Sequence, residues 1–316
     1  MPLEVACMVP EIKILGPVAL TIDDLPVALG ERKQRILLAV LAMKKGPVEN
    51  SRLAELLWTE EGFPADPTPR LQQYVYRLRA ALREANPDSA LLLRSYSGIG
   101  YELEVGDSAV DYRRFRWLAA LAKQARPSDP ARSAALGREA LAEWGHPAGV
   151  RGGRPLDGRE PQLERLIEGM RQEYQAALIT CLTADLACGR YEHVVAESAE
   201  LAAYDQYGAE NQELARLRML ATYRSGNRAV ALEIYEHLRE TLNESLAADP
   251  DEETRKLKKQ IINDDPALRP ATPEAALPEA EEPTGHIFHQ TAKTITNVER
   301  MEAQTINLGT FGEPPK

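Results

Sequence analysis

The sequence predicts a mainly α protein in two parts: an α+β segment over residues 11–106 and an all-helical, tetratricopeptide-like segment over 110–268. Three observations predict it. Short alternating, β-like runs are confined to the first part, where they flank three helical patterns. From Val110 to Leu268 the apolar residues recur almost throughout at helical spacing. Within that second part a glycine-led turn recurs at Gly189 and Gly226, 37 residues apart, near the roughly 34 of tetratricopeptide hairpins.

Taken in order, Ile12-Lys13-Ile14-Leu15 alternates and is stopped by Gly16-Pro17. Val18 to Ile22 and Val27 to Leu29 are further short β-like runs. The first helix is expected over Gln34 to Met43, ended by Gly46-Pro47, and the second over Ser51 to Trp58 with Ser51 as N-cap. A third helix starts at Thr68 as cap, with Pro69 where a missing N–H costs nothing. Its core stripe is Leu71, Val75, Leu78 and Leu82; the opposite face carries Gln72, Gln73, Tyr76, Arg77, Ala80 and Arg83. Such amide and guanidinium groups reach base edges and phosphates from a major-groove helix. Taken alone, the same face describes a solvated surface.

The segment after the third helix gives that face its meaning. Leu91-Leu92-Leu93-Arg94, a turn at Ser97-Gly98-Ile99-Gly100, and Tyr101 to Val105 form a β-hairpin whose glycines accept positive φ. Short strands, three helices and a hairpin in that order describe a winged helix-turn-helix. The apolar stripe and hairpin read as a closed set, so a piece ending near Val110 is expected to fold alone.

Charge is consistent with a local nucleic-acid patch. The chain carries a formal charge of −10, yet Pro67 to Arg94 holds five arginines against two acids; only the patch facing the phosphates matters. With 44% hydrophobic and 27% charged residues the composition is that of an ordinary globular protein. No membrane span or signal peptide is read, and three cysteines make no disulfide framework, so a cytoplasmic location is expected.

Four blocks carry a resemblance. They are Leu29-Gly30 with Lys33-Gln34-Arg35-x-Leu37-Leu38; Leu53-x-x-Leu56-Leu57-Trp58; Leu71-Gln72-x-Tyr74-Val75-x-Arg77-Leu78-Arg79; and Gly98-x-Gly100-Tyr101-x-Leu103. In that order they resemble the OmpR/PhoB-type DNA-binding domain, in the version found in the Streptomyces antibiotic regulatory proteins, the SARP family. The resemblance implies that the third helix is the recognition helix. The DNA-facing candidates are then Arg70, Gln72, Gln73, Tyr76, Arg77 and Arg83, with Arg94 as the wing residue. The loop from Thr59 to Asp66 would face the transcription machinery, and Tyr74 and Tyr101 would pack rather than touch DNA. No receiver domain precedes the first strand, so no phosphorylated-aspartate switch is expected.

The helical half resembles the bacterial transcriptional activation domain of the same family. Tyr112-x-x-Phe115, Ala140-Leu141-x-x-Trp144, Gly189-Arg190-Tyr191 and Leu217-x-x-Leu220-Ala221-x-Tyr223-x-Ser225-Gly226 carry it, closed by Asp249-Pro250 and Asp265-Pro266. The family pattern implies a homodimer on direct repeats of double-stranded DNA near the −35 region. It also implies recruitment of RNA polymerase holoenzyme and control of secondary-metabolite genes. The alternative is a helical-repeat adaptor in a signalling complex, whose winged helix binds protein.

No catalytic, cofactor or metal site is expected. Cys181 and Cys188 share a helix face without a histidine or acid at metal spacing. His146, His193 and His237 are scattered, and no phosphate-binding glycine loop is present. Residues 269–285 form a Pro/Glu-rich linker. Residues 286–316 support two readings: a disordered tail, or a tail holding a short β-forming motif between His286 and Gly309. Gln290 to Val298 and Ile306 to Gly309 are similar to amyloid-type signalling motifs, which would pair the chain with a sensor protein.

Overall fold

The computed structural model describes residues 9–145, 155–157, 160–204 and 209–269. The linker and tail expectations beyond Arg269 lie outside the described residues. So does most of the Gly145–Gly158 loop.

Two small antiparallel sheets frame the N-terminal helices. Strands β1 (Pro10–Lys13), β2 (Ala19–Ile22) and β3 (Leu25–Pro26) form the first, in that spatial order. The chain reverses between β2 and β3 at Asp23 and Asp24, both at positive φ, which short Asp side chains tolerate. Helix α1 spans Arg32–Met43 and buries Ile36, Leu37, Val40 and Leu41. It begins two residues earlier than its apolar spacing shows, because the Gln34 side chain accepts a hydrogen bond from the Glu31 N–H at 2.8 Å. Helix α2 (Asn50–Leu57) follows β4 (Val48–Glu49). Glu49, not Ser51, is its cap, since Ser51 already lies inside the helix.

Helix α3 spans Thr68–Ala85 and buries Leu71, Val75, Leu78 and Leu82, as the stripe requires. Thr68 is helical and does not cap; Asp66 Oδ1 accepts from the Thr68 N–H at 2.8 Å instead. The hairpin is β5 (Leu93–Tyr96) with β6 (Gly100–Leu103), turning through Gly98 at φ 72°. A feature absent from the hydropathy pattern is β4. Two residues long, it pairs with β6 and makes the spatial order β4-β6-β5. Gly100 is where they meet: a Cβ there would lie 1.9 Å from the Val48 carbonyl oxygen.

The second half is built of helices: α4 (Asp111–Ala125), α5 (Pro130–Ala142), α6 (Glu164–Ala187), α7 (Tyr191–Tyr204), α8 (Gln212–Arg224), α9 (Arg228–Leu246) and α10 (Glu252–Ile262). Helices α6 and α8 both end at a positive-φ glycine, Gly189 at 77° and Gly226 at 87°. There the left-handed turn satisfies orphan carbonyls and lets the next helix fold back. Asp129, Asn211 and Asp251 cap α5, α8 and α10 through their side chains.

The apolar set of the first part is not closed at Val110. One buried cluster runs from Ile12 through Phe115, Trp144, Leu156 and Ile167 to Ala221. Three polar links cross the junction. The buried Asp111 carboxylate accepts from the N–H groups of Ile14 (2.9 Å) and Leu15 (3.1 Å), and from that of Tyr112 (2.7 Å). Arg113 donates to the carbonyls of Val105 and Lys44. The Leu156 N–H donates to the Ile14 carbonyl at 2.9 Å, so part of the predicted loop is a fixed, buried turn. Met219, Ile234, Leu257 and Ile261 form a second cluster under the last helices.

Candidate nucleic-acid interface

At about 100° per residue, the side of α3 facing away from its core stripe is centred on Gln73, Tyr76 and Ala80. Arg70 and Arg77 lie on one flank, Gln72 and Arg83 on the other. Tyr76 is 68% exposed. Among the described residues, Arg70, Gln72, Gln73, Tyr76 and Arg83 make no side-chain hydrogen bond or ion pair. Their donors and acceptors point to solvent on a single rigid helix. Arg83 also lies in the last turn of α3, where a cation suits the helix dipole.

The other two predicted residues are engaged. Arg77 Nη1 donates to Glu31 Oε1 at 2.7 Å, and Arg94 on β5 pairs with Glu104 beyond the end of β6. Both pairs are largely solvated, worth at most about 1 kcal/mol each.

Two further basic residues, outside the predicted DNA-facing set, lie beside this face. Arg79 donates to the Leu93 carbonyl (2.7 and 3.1 Å) and to Ser95 Oγ (2.8 Å), tying the wing to α3. Lys33 lies over the Trp58 ring, 5.1 Å from its centroid. Partial burial, with Arg70 adding to it, lowers the Lys33 pKa against the pull of Glu160. Lys33 thus extends the Arg70 and Arg77 flank onto α1. Both stand in the blocks that carry the family resemblance, Lys33 in the first and Arg79 in the third, but no role was assigned to either.

The loop between α2 and α3 is anchored aromatically. Trp58 stacks on Tyr74 at 6.1 Å and meets Phe63 edge-on at 6.4 Å. Tyr74 and Tyr101 pack, as expected: Tyr101 is buried and Tyr74 is half-buried against Trp58. The wing tip is held by the Asn50 N–H donating to the Ile99 carbonyl at 2.9 Å, and it leaves the Ile99 side chain exposed.

The helical half contains one charged cluster that the linear sequence hid. Asp185 on α6, fully buried, lies with His193 and Glu197 of α7 so that one ligand-type atom of each falls within 4.8 Å. Arg138 and Arg190 both hold Asp185 Oδ1. Oδ2 of the same carboxylate is buried without a hydrogen-bond partner, 3.6 Å from His193 Nε2. Cys181, one turn earlier, is buried, and burial pushes its thiol up to about 12, so it stays protonated and packs. Among the described residues no helix is long and apolar enough to cross a membrane.

Comparison with known proteins places this architecture. Residues 110–262 match the bacterial transcriptional activator domain. The transcriptional regulator RedD of Streptomyces coelicolor is 32% identical over 263 residues, covering 82% of this chain and 72% of RedD. The chain belongs to the SARP family. The regulatory protein AfsR of the same organism is 34% identical over 258 residues, covering 81% of this chain but only 24% of AfsR. Among solved structures, Mycobacterium tuberculosis EmbR in complex with a low-affinity phosphopeptide aligns at a TM-score of 0.74 and 27% identity. That alignment covers 84% of this chain and 67% of EmbR. SARP members are transcriptional regulators rather than enzymes. The fold class is the one the sequence predicts: mainly α, with a winged helix followed by a helical domain.

Proposed function

We propose that this SARP chain is a sequence-specific DNA-binding activator. Residues 11–106 read the operator, and residues 110–268 pair two chains on direct repeats near a −35 region and engage RNA polymerase holoenzyme. The observation that carries it is the row Arg70, Gln72, Gln73, Tyr76 and Arg83: long polar side chains, exposed and unpartnered, on a helix braced to a wing. Burying such a row against a protein would strand several donors at once, whereas a major groove offers each a partner. Kinship with RedD and AfsR supports a regulatory role. The segment 286–309 is proposed as the contact for a sensor protein.

The test is a footprint and competition gel shift on the promoter of the adjacent gene cluster, against a scrambled duplex. A protected pair of repeats, bound at least about 10³-fold tighter than the scrambled DNA, is expected. Gln73→Ala should weaken the specific complex by about 1–3 kcal/mol and the random one much less. Equal binding to both duplexes would leave the adaptor reading in possession.

A further inference from the structure

The backbone of Glu31 is pinned at the entrance to α1. Gly30, at φ 75°, turns the chain into α1, and a Cβ there would come within 2.7 Å of Gln34 Oε1. That same Oε1 accepts from the Glu31 N–H at 2.8 Å, and Arg35 Nη1 donates to the Gly30 carbonyl at 2.8 Å. The backbone of Glu31 is therefore held from both sides. Its carboxylate meets Arg77 Nη1 at 2.7 Å, across 46 residues of sequence. Arg77 is partly buried, on the α1 flank of the helix face centred on Gln73.

We propose that Glu31 is a specificity-determining positioning residue, which aims Arg77 at the DNA and penalises contacts with phosphates alone. The inference rests on the DNA-binding reading. A guanidinium has five N–H donors in a rigid fork. The bond to Glu31 uses Nη1, and the donors on Nε and Nη2 remain for a base edge. Holding the fork in one place lowers the entropy lost on reading a guanine. The negative charge has a second consequence. On random DNA, where no base edge engages Arg77, Glu31 stands beside the phosphates and weakens the complex electrostatically. One residue thus favours the correct site and disfavours the others.

The test uses the full chain, the protected promoter fragment and a scrambled duplex of equal length. Glu31→Gln keeps the shape and removes the charge. It should tighten binding to scrambled DNA by about 2- to 5-fold and lower the specific-to-random ratio. Arg77→Ala should lower that ratio as well, and adding Glu31→Gln to Arg77→Ala should not lower it further. A ratio unchanged in Glu31→Gln while Arg77→Ala lowers it would overturn the proposal and leave DNA recognition standing. So would a Glu31→Gln effect of equal size without Arg77, since charge alone would then account for it. Wild type without any discrimination would instead remove the DNA reading, a result visible before either variant is made. Should thermal melting show Glu31→Gln unfolded, Arg77→Lys with Glu31 intact is the second probe. Lysine keeps the charge and loses the fork, so an undiminished ratio in that variant also overturns the proposal.

Discussion

Asp111 sits where a carboxylate is costly to ionise. Burial raises its pKa from 3.8 to about 6, against the lowering pull of the Leu15, Ile14 and Tyr112 amides and of Arg114. The folded state therefore holds this proton more tightly than the unfolded chain does. The resulting stabilisation is fully present below about pH 3.8 and is lost as pH rises through about 6, an effect on the order of 3 kcal/mol for this group. Asp111→Asn cannot titrate. Urea melts of both chains between pH 4 and 7 should show wild type losing stability relative to the variant as pH rises. A constant difference across that range would mean that Asp111 does not titrate there. Its neighbour Arg113 acts oppositely in charge but alike in effect, joining Lys44 and Val105 carbonyls to the start of α4. Two residues flanking Tyr112 thus stitch the halves together through backbone groups, which no apolar pattern announces.

At the scale of elements, the helices, β1, β2 and the hairpin were legible, whereas the two-residue strands were not: β4 went unread, and β3 is Leu25–Pro26 where Val27 to Leu29 was expected. The stripe Leu71, Val75, Leu78, Leu82 fixes α3 and its exposed face without further help, because a 3.6-residue period over eighteen residues has few competing explanations. Gly98 and Gly100 announce the hairpin, but only Gly98 is there for its φ. Gly100 is there for proximity to β4, a contact between residues 52 positions apart that no local signal carries. Likewise Arg77 and Arg94 read as free cations in sequence, while their acids, Glu31 and Glu104, come from outside the helix and outside the β5 strand. Gly100→Ala separates the two roles. Its Cβ would have to displace the Val48 backbone, so the chain should lose about 1–3 kcal/mol of stability and the wing should detach from β4. Wild-type melting together with unchanged amide exchange at Tyr101 would show that β4 is not needed to hold the wing.

At the scale of the whole molecule, the question is whether the winged helix is a module that can be lifted out. Its sequence suggests so, since stripe, strands and hairpin look complete by Val110. The structure argues otherwise from specific losses. Ending the chain there leaves the buried N–H groups of Ile14 and Leu15 without the Asp111 carboxylate, and the Ile14 carbonyl without Leu156. Each stranded group costs roughly 1–3 kcal/mol. It also uncovers the face that packs in one cluster with Tyr112, Phe115 and Leu156. Against a total stability of about 5–15 kcal/mol, those losses together are enough to unfold a domain of this size. A fragment ending at Val110 should therefore be poorly folded or aggregate, whereas the chain through Arg269 should unfold in a single transition in which near-ultraviolet signals from Trp58 and Trp144 change together. Two separated transitions, or a fragment ending at Val110 that melts as cooperatively as the longer chain, would show two independent domains joined only by the chain. A single transition would follow from the same bonds, which tie the start of α4 to β1 through Asp111 and to the end of α1 through Arg113.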